Sequence, residues 1–223
     1  MSSAGSAARA LAKPTDGVVS RLLNRRVSTR ISMWLARRRR PPSPDAVSLL
    51  AAWLVAAAGP LFASGHPVLA GVAAQAGSIL DGVDGEIARL TGRQSRGGAL
   101  LDTVLDRLAD IAALLGAGLA AARSLDAVLA ALLLGLGLSG DLLVTYVHAV
   151  GEKLAGRHPA LVGRIPNIAG RDTRLFILFL AGLASAPAAG LAAIAGLAYA
   201  YAVAKTVELL DYIDRAARGA EGR

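Results

Sequence analysis

Four aspartates carry the strongest chemical signal in the chain: Asp81 and Asp84, three residues apart, then Asp102 and Asp106, four apart. On a helix, residues at those spacings share a face. Asp81, Asp84, Gly85 and Ala88 therefore form one stripe, and Gly98, Asp102 and Asp106 form another. A connection of about eight residues makes two such helices antiparallel neighbours, so the stripes can face each other. Four carboxylates in one pocket repel unless cations sit among them, and an all-oxygen ligand set suits Mg²⁺ or Mn²⁺ rather than zinc. Gly85 and Gly98 leave room for a ligand to approach the backbone, while Arg89 offers a planar fork to phosphate oxygens. A divalent metal beside a phosphate-binding arginine predicts phosphoryl-group chemistry.

The elements that must position these residues are membrane helices. Of the 223 residues 54% are hydrophobic, yet the formal charge is +8, a combination expected of a membrane protein with a basic cytoplasmic side. There is no cysteine, so disulfides and thiolate metal sites are excluded. A bilayer is crossed by about 20 apolar residues, which places spans near 46–65, 68–90, 98–122, 125–149, 173–187 and 189–212. Arg89, Arg93 and Arg96 fall between the second and third spans, Lys153, Arg157, Arg164 and Arg171 between the fourth and fifth, and Arg215, Arg218 and Arg223 after the sixth. Opposite loops hold little beyond His66 and Arg123. The positive-inside rule then puts both termini and the aspartates on the cytoplasmic side of the cell membrane.

Residues 1–45 contain ten of the 24 basic residues, Arg9, Lys13, Arg21, Arg25, Arg26, Arg30 and Arg37 to Arg40, against Asp16 and Asp45. Val18, Val19, Leu22, Leu23, Val27, Ile31, Trp34 and Leu35 recur among them at helical spacing, predicting an amphipathic helix on the membrane surface rather than a nucleic-acid-binding tail. Pro41, Pro42 and Pro44 end it. Met1 to Ala12 lack the apolar core of a secretory signal. The expected fold is an all-α, six-helix transmembrane bundle over 46–212, preceded by the basic segment 1–45 and followed by a cytoplasmic tail, 213–223.

Charges inside spans are rare, because each costs at least about 3 kcal/mol near the bilayer centre. Asp110 continues the Asp102 and Asp106 stripe and is expected to pair with Arg107 or a neighbouring helix. Asp141, Tyr146 and His148 either line a substrate cavity or make interhelical and interfacial contacts. Glu86 is expected to face another helix or the interface. Arg164 and Arg171, with Lys153 and Lys205 as weaker candidates, either bind a second phosphate or supply ordinary positive-inside charge.

The pattern Asp81-x2-Asp84-Gly85-x2-Ala88-Arg89-x8-Gly98-x3-Asp102-x3-Asp106 resembles, at every fixed position, the signature of the CDP-alcohol phosphotransferase family. The resemblance implies a six-helix membrane bundle, usually homodimeric, that passes a substituted phosphate from a CDP-alcohol to a second alcohol and releases CMP. It implies that Asp81, Asp84, Asp102 and Asp106 bind two metal ions, and that Asp106 is the general base. Asp81, Gly85, Ala88, Arg89 and Gly98 would bind the CDP-alcohol, and Lys153, Arg164 and Arg171 the phosphate of the acceptor.

Within the family, the run from Lys13 to Ser32 and the segment Gly170-Arg171-Asp172-Thr-Arg174-Leu-Phe resemble the branch that joins CDP-inositol to inositol 1-phosphate. In that branch a nucleotidyltransferase is often fused ahead of the membrane domain; here a separate one would supply the donor. The alternative is a phospholipid synthase taking CDP-diacylglycerol or CDP-archaeol with inositol phosphate, glycerol phosphate or another polar alcohol. A cation transporter is the remote third reading, and it leaves Gly85, Ala88 and Arg89 without a purpose.

Overall fold

The computed structural model describes residue 11 and residues 14–221. Arg9, Lys13 and Arg223, and all of Met1 to Ala12 except Leu11, lie outside those residues. Among the described residues the chain is all-helical, with no strand. A π-helical turn, Ser20–Asn24, runs into α1, Arg25–Ala36. The bundle follows as α2 (Pro44–Ala63), α3 (Pro67–Thr91), α4 (Arg96–Ala121), α5 (Ala127–Ala155), α6 (Arg171–Leu183) and α7 (Pro187–Glu221).

Local chemistry sets these boundaries. Ser43, Ser95 and Asp126 cap α2, α4 and α5 by accepting from the amides of Ala46, Gly98 and Leu129 at 3.2, 2.9 and 2.9 Å. Pro44, Pro67 and Pro187 each open a helix, where the missing N–H costs nothing. Helices α2 to α7 cover the stretches expected as spans, and their ends differ most in three places. The fifth stops at Leu183 instead of reaching 187, because Pro187 begins the next helix. The fourth continues to Ala155, where Gly156 takes the left-handed conformation at φ 65°. The last helix continues to Glu221, so the segment expected as a tail from 213 extends α7; 35 residues make a rod of about 52 Å, longer than a bilayer core.

By length and composition, α2, α5 and α7 are apolar enough to cross a membrane. In α3 and α4 the aspartates dilute the apolar character, and α6 has only 13 residues. Val55, Phe62, Leu114, Leu178, Leu191 and Ile194 form the shared core of α2, α4, α6 and α7. Small residues bring backbones together around it. A Cβ on Gly116 of α4 would sit 2.0 Å from the Gly59 carbonyl of α2, and one on Gly182 of α6 would sit 2.4 Å from the Pro67 carbonyl of α3.

The first helix packs against α3. Its inner face, against α3, is polar: Arg25, Ser28, Thr29 and Ser32 are buried, as is Asn24 just before them. Leu22, Leu23, Val27 and Trp34 point outward and are exposed. Asn24 donates to the Ser78 hydroxyl at 3.0 Å and accepts from Gln75 at 2.9 Å. Glu86 faces this helix from α3, fully buried, and receives Arg25 at 2.6 Å, Ser28 at 3.0 Å and Thr29 at 3.2 Å. Arg25 also grips Asp16 through two bonds of 2.7 and 2.9 Å. Burial opposes the charge on Arg25, but hydrogen bonds and attraction from Asp16 and Glu86 outweigh it, so its pKa rises above the usual guanidinium value.

Candidate active site

The two aspartate stripes meet as their spacing requires. One carboxylate oxygen each from Asp81 of α3 and from Asp102 and Asp106 of α4 can be chosen so that all lie within 4.8 Å of one another. Asp84 adjoins this group beside Asp102 and accepts the Ser48 hydroxyl of α2. The Arg171 guanidinium, from the start of α6, reaches into the cluster. Its Nη1 lies 3.0 Å from Asp81 and 2.8 Å from Asp106, while Nε donates to Asp110 at 2.9 Å. The carboxylates thus already draw one cation between them. With four carboxylates and no softer ligand, the set fits a hard divalent metal.

Behind Arg171 a buried ionic chain ties three helices together. Arg107 of α4 pairs with Asp110 at 2.9 Å and with Asp141 of α5 at 2.7 Å, and Arg174 of α6 meets Asp141 at 2.9 Å. Asp110 and Asp141 therefore take the interhelical roles expected of them, and Asp110 in addition anchors Arg171.

Beside the aspartates lies a cavity of about 530 Å³. Gly85, Ala88, Arg89 and Gly98 line it together with Asp84 and Asp102; Asp81 lines a neighbouring, smaller cavity. A Cβ on Gly98 would come within 2.9 Å of the Ser95 hydroxyl and 3.2 Å of the Asp45 carboxylate, so a larger side chain would crowd the wall. Arg89 donates to the Leu11 carbonyl at 3.1 Å, and its Nε is buried without a hydrogen-bond partner among the described residues, leaving a donor for a ligand. Among the wall residues that the sequence reading did not assign to the site are Ser48, Arg93 and Arg96. The arginines flanking the signature were visible only as loop charge, and Ser48 needed the packing of α2 on α3 to be found.

Of Lys153, Arg164 and Arg171, the structure brings Arg171 to the aspartates. Lys153 and Arg164 are exposed and line neither cavity. Lys205 is fully buried, and its ammonium donates to the carbonyls of Val162 and Ile165 at 2.8 and 2.9 Å and to Glu208 at 2.7 Å. Glu208 in turn accepts from the amides of Arg164 and Ile165. Lys205 clamps the loop before α6, and its three protons are committed. Lys205→Met is expected to lower stability by about 3 kcal/mol, since it strands the loop carbonyls and Glu208; thermal unfolding in detergent measures it, and an unchanged midpoint would refute the clamp. His148 bonds the Tyr201 hydroxyl at 2.8 Å, fastening α5 to α7, whereas Tyr146 is exposed.

Residues 42–207 match the family model described as CDP-alcohol phosphatidyltransferase. The chain belongs to this family. A bifunctional IPC transferase and DIPP synthase of Rubrobacter xylanophilus is 41% identical over 199 residues, 89% of this chain and 44% of that protein. An archaetidylinositol phosphate synthase of Pyrococcus horikoshii is 34% identical over 134 residues, 60% of this chain and 65% of its own. The chain therefore spans less than half the length of the Rubrobacter relative. Among solved structures, the Mycobacterium tuberculosis phosphatidylinositol phosphate synthase with CDP-DAG bound superposes with a TM-score of 0.66 at 25% identity, over 82% of this chain and 94% of that one. The same protein in complex with manganese and citrate gives 0.67 over 82% and 89%. The chain is a multi-pass membrane protein of a transferase family, all-helical among the described residues, with an aspartate cluster suited to a divalent ion.

Proposed function

We propose that the chain transfers a substituted phosphate from a CDP-alcohol to an acceptor alcohol with release of CMP, the donor being CDP-inositol and the acceptor inositol 1-phosphate. The observation that carries this is the meeting of all four signature aspartates at the edge of a cavity lined by the rest of the signature. The likeness to the Rubrobacter synthase over 89% of the chain supports the choice of substrates.

In this reading the cytidine nucleotide enters the larger cavity, where Gly85, Ala88 and Gly98 leave it space and Arg89 pairs with its phosphates. Bound by Asp81, Asp84, Asp102 and Asp106, two ions of Mg²⁺ or Mn²⁺ would neutralise the pyrophosphate and the charge gathering on the departing CMP. Asp106 accepts the proton of the acceptor hydroxyl as its oxygen bonds to the β-phosphorus and the bond from that phosphorus to the CMP oxygen breaks. Arg171, whose Nη2 is buried without a partner, offers a donor to the acceptor's phosphate.

Contacts at one end of the bundle support an orientation. Residue 11 meets Arg89, and Thr15 meets Asn167 of the loop before α6. The amino-terminal segment thus gathers the basic loops on one side, which we assign to the cytoplasm, with six spans and both termini there. The exposed apolar face of α1 is assigned to the lipid surface, and the assembly to a homodimer.

Purified protein with Mg²⁺ and inositol 1-phosphate should release CMP from CDP-inositol and not from CDP-diacylglycerol or its archaeal analogue. The reverse result would establish the phospholipid alternative. EDTA should stop turnover and Mg²⁺ or Mn²⁺ restore it, and Asp102→Asn should weaken Mn²⁺ binding at least about tenfold in a direct titration. Turnover surviving complete metal removal would defeat the metal assignment.

A further inference from the structure

A second cavity, of about 170 Å³, opens between α3 and the amino-terminal segment with α1. It shares Asp84, Gly85, Arg89 and Asp102 with the larger cavity and adds Asp81, so it reaches the same reacting centre. Its outer wall is made of short hydroxyl and amide side chains, Ser20, Asn24, Ser28 and Ser78.

Three features define what fits there. First, hydrogen-bonding capacity remains. The Ser78 hydroxyl accepts from Asn24 and keeps its own proton, and the Ser28 oxygen donates to Glu86 and keeps its lone pairs. Second, away from Arg89, which both cavities share, the wall does not attract a phosphate. Arg25 is committed to Asp16 and Glu86, and the remaining charge facing the space is largely carboxylate. Third, the volume holds a sugar-sized ring and not a pair of acyl chains. The occupant is a neutral, hydroxylated group.

The flanking residues decide which side of the reaction it belongs to. Asp106 and Arg171, which serve the acceptor, are absent from this lining. A group held here stays beside Asp81, Asp84 and Asp102 while joined to the β-phosphate. We propose that this cavity seats the polyol of the CDP-alcohol donor, with Asn24, Ser28 and Ser78 as its hydrogen-bonding wall. Gly82 keeps it open: a Cβ there would already lie 3.3 Å from the Ser28 hydroxyl and 3.5 Å from Arg25, so a longer side chain fills the space. The assignment rests on reading the aspartates as a CDP-alcohol phosphotransfer site.

The test titrates the full chain, in detergent with Mn²⁺, with CDP-inositol and with CDP. Wild type should bind CDP-inositol more tightly than CDP. Gly82→Leu should remove that advantage, about tenfold or more, with CDP affinity unchanged; Ser78→Ala, which adds no bulk, should cost about two- to tenfold for CDP-inositol alone. Thermal unfolding of each variant confirms that it is folded. Equal CDP-inositol affinity in all three proteins, or no advantage over CDP in wild type, would overturn the placement. So would a rise in KM for inositol 1-phosphate with donor affinity intact, which would put the acceptor in this cavity. Failure of the phosphotransfer reading looks different, since then no CDP-alcohol releases CMP with wild type.

Discussion

Asp106→Asn is expected to lower turnover by at least about a thousandfold, within the range associated with loss of a positioned general base. Asparagine keeps the shape of aspartate but neither takes up a proton nor carries the charge that holds a cation. Asp106 sits with its carboxylate 2.8 Å from Arg171 and within reach of Asp81 and Asp102, yet lines neither cavity. Affinity for a CDP-alcohol should therefore survive within about tenfold. Asp84→Asn makes the contrast: Asp84 lines both cavities and takes the Ser48 hydroxyl, so its loss should weaken donor binding as well as turnover. CMP release under saturating donor, paired with donor titration, separates the two effects. Substantial turnover in Asp106→Asn would remove it as the base.

How far the site was legible depended on sequence distance. Asp81 and Asp84, or Asp102 and Asp106, lie within one or two helical turns, and the short α3–α4 connection forces the stripes together, so spacing alone located the cluster. Arg171 could not be placed that way. It stands 90 residues from Asp81 and 61 from Asp110, and what brings it in is the packing of α6 on α3. From sequence it stood level with Arg164, which proves exposed, and ahead of Lys205, a weaker candidate within the sixth expected span that proves to be a loop clamp. The helix ends depart from the expected span limits where prolines and a left-handed glycine, rather than hydropathy, end the helices. In α1 the apolar stripe was visible, but the polar packing against α3 was not. The informative signal was on the other face: Arg25, Ser28, Thr29 and Ser32 recur at helical spacing, and a run of short hydroxyls opposite an apolar stripe marks a surface that packs against protein polar groups.

That polar face carries the largest stability effect. Glu86 has no exposed surface; among the described residues its ion pair is with Arg25, supported by Ser28 and Thr29, and its Oε2 has no hydrogen-bond partner. Arg25→Met keeps the side chain's bulk and removes its charge, leaving a buried carboxylate to two hydroxyls and separating Asp16 from its two bonds. Breaking a buried pair from one side costs about 3–5 kcal/mol, whereas replacing both members with apolar groups of similar size is often neutral. Arg25→Met should therefore lower the thermal midpoint sharply and expose the amino-terminal segment to protease, and Arg25→Met/Glu86→Leu should recover most of the loss. The recovery separates a charge left unpaired from a helix that simply needs its arginine. If the double variant is no more stable than Arg25→Met, the pair with Asp16, not Glu86, is what seats α1, and the Glu86 position beside Gly85 loses its structural explanation.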